Sequence, residues 1–183
     1  GHVRQSGPEP AGNRWAANLQ DRRDNRRRHA GLRTAGVPLA FIEDALQQAE
    51  AAFAMGEVPV GAVVVRDGTV IAAARNRVEA DQNPQAHAEM LAIAEACRVL
   101  GRKWLEDCDL YVTLEPCPMC AGALSLARIR RVYYGAADPK SGGVDHGPRV
   151  FAQPTCHHAP EVIAGVEERR CGELLTAFFA QRR

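Results

Sequence analysis

Residues 110–120, Leu-Tyr-Val-Thr-Leu-Glu-Pro-Cys-Pro-Met-Cys, contain the change from strand to helix on which the fold prediction rests. Residues 110–114 alternate as a β-strand does, and the run of small residues over 117–129 predicts a helix. Cys117 and Cys120 lie three positions apart at the first turn of that helix, so their side chains project from the same side. The stretch therefore predicts a strand followed by a helix whose start presents two thiols.

The segments around this stretch alternate between helical and strand patterns. Apolar residues at spacings of three and four predict an amphipathic helix from Leu39 to Phe53. Asp67-Gly68 predicts a hairpin turn between strands at 60–65 and 70–73. Further elements are predicted as helices at 86–100 and 167–181 and as strands at 131–134 and 162–166. Strands that alternate with helices predict a layered α/β fold in which the later strands are parallel.

Composition excludes several classes of protein. The chain has 183 residues, of which 46% are hydrophobic and 25% charged, a mixture that excludes wholesale disorder and fibrous repeats. The longest apolar run, residues 58–65, is far shorter than the roughly 20 residues needed to span a bilayer, so no membrane association is expected. Six sparse cysteines indicate a reducing compartment, and no apolar signal segment is visible near the start. A cytoplasmic protein is therefore predicted.

Residues 1–36 have a charge pattern of their own. Eight arginines against three acidic residues give this segment a formal charge of +5, so the remaining residues carry −4 of the total of +1. Glycine, proline and asparagine without sustained apolar periodicity predict a disordered extension, followed by one domain at 37–183. Two alternatives stay open for the extension: an arm that binds a polyanion, or an organelle transit peptide, which its three acidic residues disfavour.

The residues that carry chemistry are His87-Ala88-Glu89 and, further along, Cys117 and Cys120. One imidazole and two thiolates fill three positions of a tetrahedral zinc site. A structural zinc site needs a fourth ligand, but the other cysteines and histidines form no second paired motif. Glu89 is a poor fourth ligand, yet it is well placed as a general acid/base beside an open metal position. A catalytic zinc ion is thus favoured over a structural one or a metal-free redox pair.

The pattern His-x-Glu followed by Pro-Cys-x-x-Cys resembles the cytidine deaminase-like superfamily. More of the chain resembles the tRNA-specific adenosine deaminases of bacteria, which make inosine at the wobble position. This resemblance extends from about Leu39 to the end of the chain, in blocks at 55–62, 74–77, 86–90, 110–123 and 135–142. It implies a three-layer α/β/α sandwich with a central mixed five-stranded sheet, a homodimer and one zinc ion per subunit.

The resemblance also implies a role for each site residue. His87, Cys117 and Cys120 are implied to hold the zinc ion, while Glu89 transfers protons from water to a ring nitrogen and to the departing ammonia. The residues implied to bind the substrate are Asn76 at the flipped nucleoside, Glu57, Val58, Pro59 and Val60 in the wall of the base pocket, and Asp138 at the anticodon-loop backbone.

Other residues are interpreted from their own surroundings. Lys140 lies in a loop-rich stretch that predicts a positive rim for a loop substrate. Asn76 and Asp138 could instead be turn residues, Asp138 because an Asx turn suits the position before a proline. Glu115 is expected to be held by backbone hydrogen bonds rather than to move protons. Phe179 is a candidate for stacking with bases, but its helical spacing favours a place in the core.

These observations predict an enzyme that uses zinc to convert adenosine to inosine in the anticodon stem-loop of a tRNA. The closest alternative is a zinc deaminase of a free base or nucleoside, such as guanine, cytosine or cytidine. A non-catalytic, zinc-stabilised module for RNA binding or dimerisation is a second alternative. Glu89 disfavours that module because a structural zinc site needs no proton shuttle.

Overall fold

A computed structural model describes residues 39–182, and the predicted extension at 1–36 lies outside the described residues. The described part contains a five-stranded sheet with four α-helices. The strands are β1 (Gly61–Arg66), β2 (Thr69–Arg75), β3 (Cys108–Leu114), β4 (Arg131–Ala136) and β5 (Glu161–Ile163). The helices are α1 (Leu39–Ala54), α2 (Ala88–Leu100), α3 (Pro118–Leu126) and α4 (Glu168–Ala180), and Val150–Ala152 forms one 3₁₀ turn.

The sheet is mixed, and its strand order is β2-β1-β3-β4-β5. β1 pairs antiparallel with both β2 and β3, whereas β3, β4 and β5 are parallel to one another. The β1–β2 turn forms at Asp67-Gly68 as predicted, and both residues have positive φ, 49° and 73°. Such dihedrals match the twist of a two-residue hairpin, which is why an Asp-Gly pair is favoured there.

Helices cover both faces of the sheet. Ala62, Val64 and Leu110 belong to a buried cluster shared with α2 and α3. On the other face Tyr111 stacks on Tyr133 with ring centroids 4.3 Å apart. Phe41 of α1 contacts Tyr111, so α1 packs on this face. The central strands are therefore buried on both faces, as an α/β/α sandwich requires. Within the described residues, the structure contains no helix with the length and apolar character needed to cross a membrane.

Several element boundaries differ from those predicted, and three of them have a visible cause in the backbone. α2 begins at Ala88 rather than residue 86, because His87 has extended dihedrals and caps the helix. α3 ends at Leu126 rather than 129, since Arg128 adopts a left-handed conformation with φ of 55° that breaks the helix. β5 ends at Ile163 rather than 166, and Gly165, two residues further on, has a positive φ of 77°. In each case one backbone conformation, invisible to hydrophobic periodicity, decides the boundary.

Candidate active site

The predicted metal ligands come together at the starts of two helices. His87 is the N-cap of α2, Cys117 is the N-cap of α3, and Cys120 lies in the first turn of α3. The Nδ1 atom of His87 is 3.6 Å from the Cys117 sulfur and 3.5 Å from the Cys120 sulfur. The three ligand atoms lie within 4.8 Å of one another, and residues 39–182 contain no second group of this kind.

The start of α3 favours an ionised thiol at Cys117. Pro118 occupies the first helical position, where its missing N–H costs nothing, and Cys117 precedes it in an extended conformation. A hydrogen bond from the Cys120 thiol and a second from His87 lower the pKa of Cys117 to about 4, although burial opposes the shift. A thiolate is the form that binds zinc. One nitrogen and two sulfur donors therefore fit a zinc ion held by three protein ligands.

Glu89 lies beside these ligands in the first turn of α2 and is buried. Burial raises the pKa of its carboxyl group to about 7, although hydrogen bonding to the backbone opposes the shift. A carboxyl group that titrates near neutral pH accepts and donates protons with similar ease. The geometry thus offers a proton carrier next to the metal ligands.

Asn76 follows the last residue of β2, and its amide donates a hydrogen bond to the buried Glu57 at 3.4 Å. The Glu57 carboxylate also accepts backbone N–H bonds from Glu79 at 3.3 Å and Ala80 at 2.7 Å. Glu57 therefore joins the turn after β2 to the segment that precedes β1. Both Asn76 and Glu57 line the same cavity as the metal ligands.

Glu115 is held by backbone hydrogen bonds, as expected from the sequence. Its side chain is fully buried. Glu115 lies between the end of β3 and residues 116–120, here called the metal-ligand turn. Asp138, Val144, Asp145 and His146 each donate a backbone N–H to it, and the His146 ring lies 2.7 Å from its second oxygen. Burial tends to raise the pKa of Glu115, but the bonds from Asp138 and His146 outweigh that effect and lower it. Glu115 is thus an ionised structural group rather than a proton carrier.

A cavity of about 650 Å³ contains most of the predicted site residues. Those that line it are Glu57, Val58, Val60, Asn76, His87, Glu89, Cys117 and Asp138. Three others do not: Pro59 and Cys120 are buried behind the wall, and Lys140 is exposed on the turn beside it. Val58, Val60 and Leu114 give the cavity an apolar wall suited to a flat, weakly polar ring.

The end of α4 contributes a part of the cavity that sequence reasoning did not assign to it. The expectation that Phe179 lies in the core is wrong, since its side chain is 48% exposed and lines the cavity. Its neighbour Phe178 is the buried member, packed against Phe53 with ring centroids 5.5 Å apart. Two adjacent helical positions differ by about 100° in direction, so a pair of phenylalanines cannot both face the core.

Arg182 completes this side of the cavity. Its guanidinium group stacks 3.8 Å from the centre of the Phe178 ring and donates a hydrogen bond to the Gly56 carbonyl at 2.7 Å. The signal in the sequence was Phe-Phe followed three residues later by arginine. That pattern combines a ring and a cation on one side of a helix.

The fold and the metal-ligand group define a class of protein, the deaminases that work with a bound zinc ion. Residues 38–136 match the family described as the cytidine and deoxycytidylate deaminase zinc-binding region. The tRNA-specific adenosine deaminase of Agrobacterium fabrum (strain C58) is 54% identical over 143 residues, which are 78% of this chain and 94% of that relative. The chain therefore belongs to the cytidine and deoxycytidylate deaminase family and, within it, to the tRNA-specific adenosine deaminases.

Solved structures agree with this assignment. A structure from a study of A-to-I editing by tRNA:A34 deaminases at the wobble position of transfer RNA is 54% identical, with a TM-score of 0.73. It covers 74% of this chain, which spans 99% of that one. A guanine deaminase from Bacillus subtilis is 43% identical with a TM-score of 0.53, over 56% of this chain and 66% of that one. The mixed sandwich predicted from the sequence is thus confirmed.

Proposed function

We propose that residues 37–183 form a zinc-dependent deaminase domain that converts adenosine to inosine at the wobble position of a tRNA anticodon loop. The observation that supports the reaction is the shared cavity, where Glu89 lies beside the ligands His87 and Cys117. The 54% identity to a tRNA-specific adenosine deaminase supports the choice of substrate. As the sequence predicts, the enzyme acts in the cytoplasm.

The chemistry divides between the metal and one carboxyl group. His87, Cys117 and Cys120 would hold one zinc ion per subunit, which when bound activates water as a nucleophile at neutral pH. Glu89 accepts a proton from the attacking water and donates it to the ring nitrogen of the base. It then assists protonation of the exocyclic amine, which leaves as ammonia while oxygen remains on the ring carbon. Adenosine and water thus give inosine and ammonia.

The cavity walls hold the flipped nucleoside in position for that reaction. Val58 and Val60 supply apolar surface for the faces of the base. Asn76 supplies a polar contact, and its bond to Glu57 fixes the direction of the amide. A side chain that is held in place before binding loses little conformational freedom when the substrate arrives.

Nucleotides that flank the target are proposed to bind at the mouth of the cavity. Phe179 offers an exposed ring, and Arg182 a planar cation fixed by Phe178 and Gly56. Unstacked loop bases are bound by aromatic side chains and arginine planes of this kind. Asp138 and Lys140 lie on one turn and can contact the RNA backbone, as the sequence predicts.

A homodimer is proposed from an exposed apolar patch formed by Leu126 and Trp104. Leu126, at the end of α3, is 71% exposed, and Trp104 is 41% exposed with Arg128 stacked 3.9 Å from its ring centre. The backbone bond between Leu105 and Ala127 places the two segments side by side. Large exposed apolar side chains that lie together mark protein interfaces. Because two of the three predicted metal ligands lie at the start of α3, a second copy bound there would stabilise the site.

The test is a deamination assay on zinc-loaded protein offered four substrates in parallel: an anticodon stem-loop with adenosine at the wobble position, free adenosine, cytidine and guanine. We expect inosine and ammonia from the stem-loop alone. A stem-loop with guanosine at the wobble position serves as the matched control and should release no ammonia. Turnover of guanine instead would favour the second candidate, which the 43% identity to a guanine deaminase supports.

A further inference from the structure

We propose that Glu115 is a positioning residue for the RNA substrate. It holds residues 138–146, here called the rim loop, against the turn that carries Cys117. The rim loop contributes Asp138 and Ser141 to the cavity. The inference rests on the proposed function, because it concerns how the same cavity binds an anticodon loop. In this proposal Glu115 affects the binding of flanking nucleotides indirectly, by holding the loop that contacts them.

The two oxygens of Glu115 together bind both ends of the rim loop. Oε1 accepts backbone N–H bonds from Val144 at 3.2 Å and from Asp145 and His146 at 2.9 Å. Oε2 accepts the Asp138 N–H at 2.9 Å and lies 2.7 Å from Nδ1 of His146, which is the donor next to a carboxylate. One side chain therefore fixes both ends of a nine-residue loop.

The loop is packed as closely as backbone allows. Gly143 donates a hydrogen bond to the Pro116 carbonyl at 2.8 Å. A Cβ added to Gly142 would lie 2.6 Å from the Glu115 carboxyl group, and one added to Gly143 would lie 2.5 Å from the Pro118 nitrogen. Side chains at these positions cannot be accommodated without movement. A shift of the Glu115 carboxylate is therefore passed directly to the loop.

Hydrogen bonds hold the part of the rim loop that faces the cavity together as one turn. The Asp138 carboxylate accepts backbone N–H bonds from Lys140 at 3.1 Å and Ser141 at 2.9 Å. These bonds close an Asx turn, which suits a residue before a proline. The N–H of Asp138 connects this turn to Glu115 Oε2. Loss of that bond removes the connection between this turn and Glu115 and so weakens the support of both cavity-lining side chains.

Substitution Glu115→Gln tests the connection selectively. Three N–H donors keep the amide oxygen at the Oε1 position, so the amide NH₂ replaces Oε2 and faces the N–H of Asp138, where it cannot accept. Contacts with flanking nucleotides bind substrate and transition state alike, so their loss raises KM and leaves kcat unchanged. We expect KM for the stem-loop to rise about 10- to 100-fold, the range for a lost hydrogen bond to a charged group.

Asp109→Asn is the matched control. Asp109 is a buried carboxylate near the other end of β3, bonded to Arg130, and it does not line the cavity. Its loss should leave KM unchanged. A second variant, Gly142→Ala, pushes on the Glu115 contact from the loop side and should also raise KM. It provides the test if Glu115→Gln does not fold. Zinc content, measured by atomic absorption, should be retained in every folded variant.

The outcomes separate this inference from the function on which it rests. Wild-type protein that leaves the stem-loop unreacted overturns the proposed function. An active wild type with an unchanged KM in Glu115→Gln overturns the positioning role alone. The same follows if kcat or zinc content falls while KM stays constant, because Glu115 would then serve the metal-ligand turn rather than the RNA.

Discussion

Glu89 differs from Glu57 and Glu115, two other carboxylates of the cavity, in what surrounds it. Glu57 and Glu115 each accept several backbone N–H bonds, and for Glu115 these bonds lower the pKa. For the carboxyl group of Glu89, burial has the largest effect and raises the pKa to about 7. Glu57 and Glu115 are therefore held by the backbone, whereas Glu89 is the candidate proton carrier.

Replacement of that carrier should separate catalysis from metal binding. We expect Glu89→Gln to keep its zinc and its fold but to lower kcat roughly 10²–10⁴-fold, the usual contribution of a general acid/base. Glu95→Gln is the control, since Glu95 lies on the same helix, pairs with Arg98 and does not line the cavity. Comparable turnover by the two variants in the stem-loop assay would contradict the role of Glu89.

The two thiols of the ligand group should be distinguishable from the other cysteines by metal content. Cys120→Ala removes one of three ligands, and we expect zinc to be lost on dialysis together with activity. Cys97→Ala should retain zinc, because Cys97 lies on α2 outside the ligand group. Atomic absorption of both dialysed variants measures the difference, and a fully zinc-loaded Cys120→Ala protein would be inconsistent with this ligand assignment.

At the level of elements, α1 passes very close to the start of β1. A Cβ at Gly61 would lie 2.0 Å from the Ala45 carbonyl oxygen and 2.6 Å from the Ala49 nitrogen. The helix thus passes over the first residue of β1 at a distance that only glycine permits. Because Val58 and Val60 precede that residue, this contact also holds the apolar wall of the cavity.

Two glycine substitutions should therefore have opposite effects on stability. Gly61→Ala forces α1 away from the sheet, and we expect the free energy of unfolding to fall by about 1–3 kcal/mol, as for other overpacked sites. Gly172→Ala, on α4 with no atom within 4 Å of the added Cβ, should raise it by roughly 0.5–1 kcal/mol. Urea unfolding of the zinc-loaded proteins compares them, and equal stabilities would refute the tight crossing.

The elements and the grouping of His87, Cys117 and Cys120 could be predicted because their signals are local in the sequence. His87, Cys117 and Cys120 each lie at a helix start, which the motif itself marks. The contacts of Glu115 could not be predicted, because its partners are 23 to 31 positions away and no pattern records them. The exposure of Phe179 escaped prediction for a related reason: periodicity shows which helix face is apolar, not which neighbour covers it.

At the scale of the whole molecule, the patch of Leu126 and Trp104 predicts how copies associate. We expect wild type to sediment as a dimer, and Leu126→Glu, which places a charge in the proposed interface, to sediment as a monomer in sedimentation velocity. Phe179→Ala is the control, since it removes an exposed ring outside this patch. A Leu126→Glu protein that remains dimeric would exclude this surface as the contact.

The strand order also dictates when the site can form during folding. β1 and β2 are joined by a two-residue turn, and hairpins of this kind form within about 1–10 μs. β3 reaches β1 only after the chain has crossed α2, and non-local pairing of this sort is slow. His87 precedes that crossing and Cys117 follows it, so the ligands meet only once β3 has docked. The rate of zinc uptake by a refolding chain should therefore report the docking of β3 and not the formation of the β1–β2 hairpin.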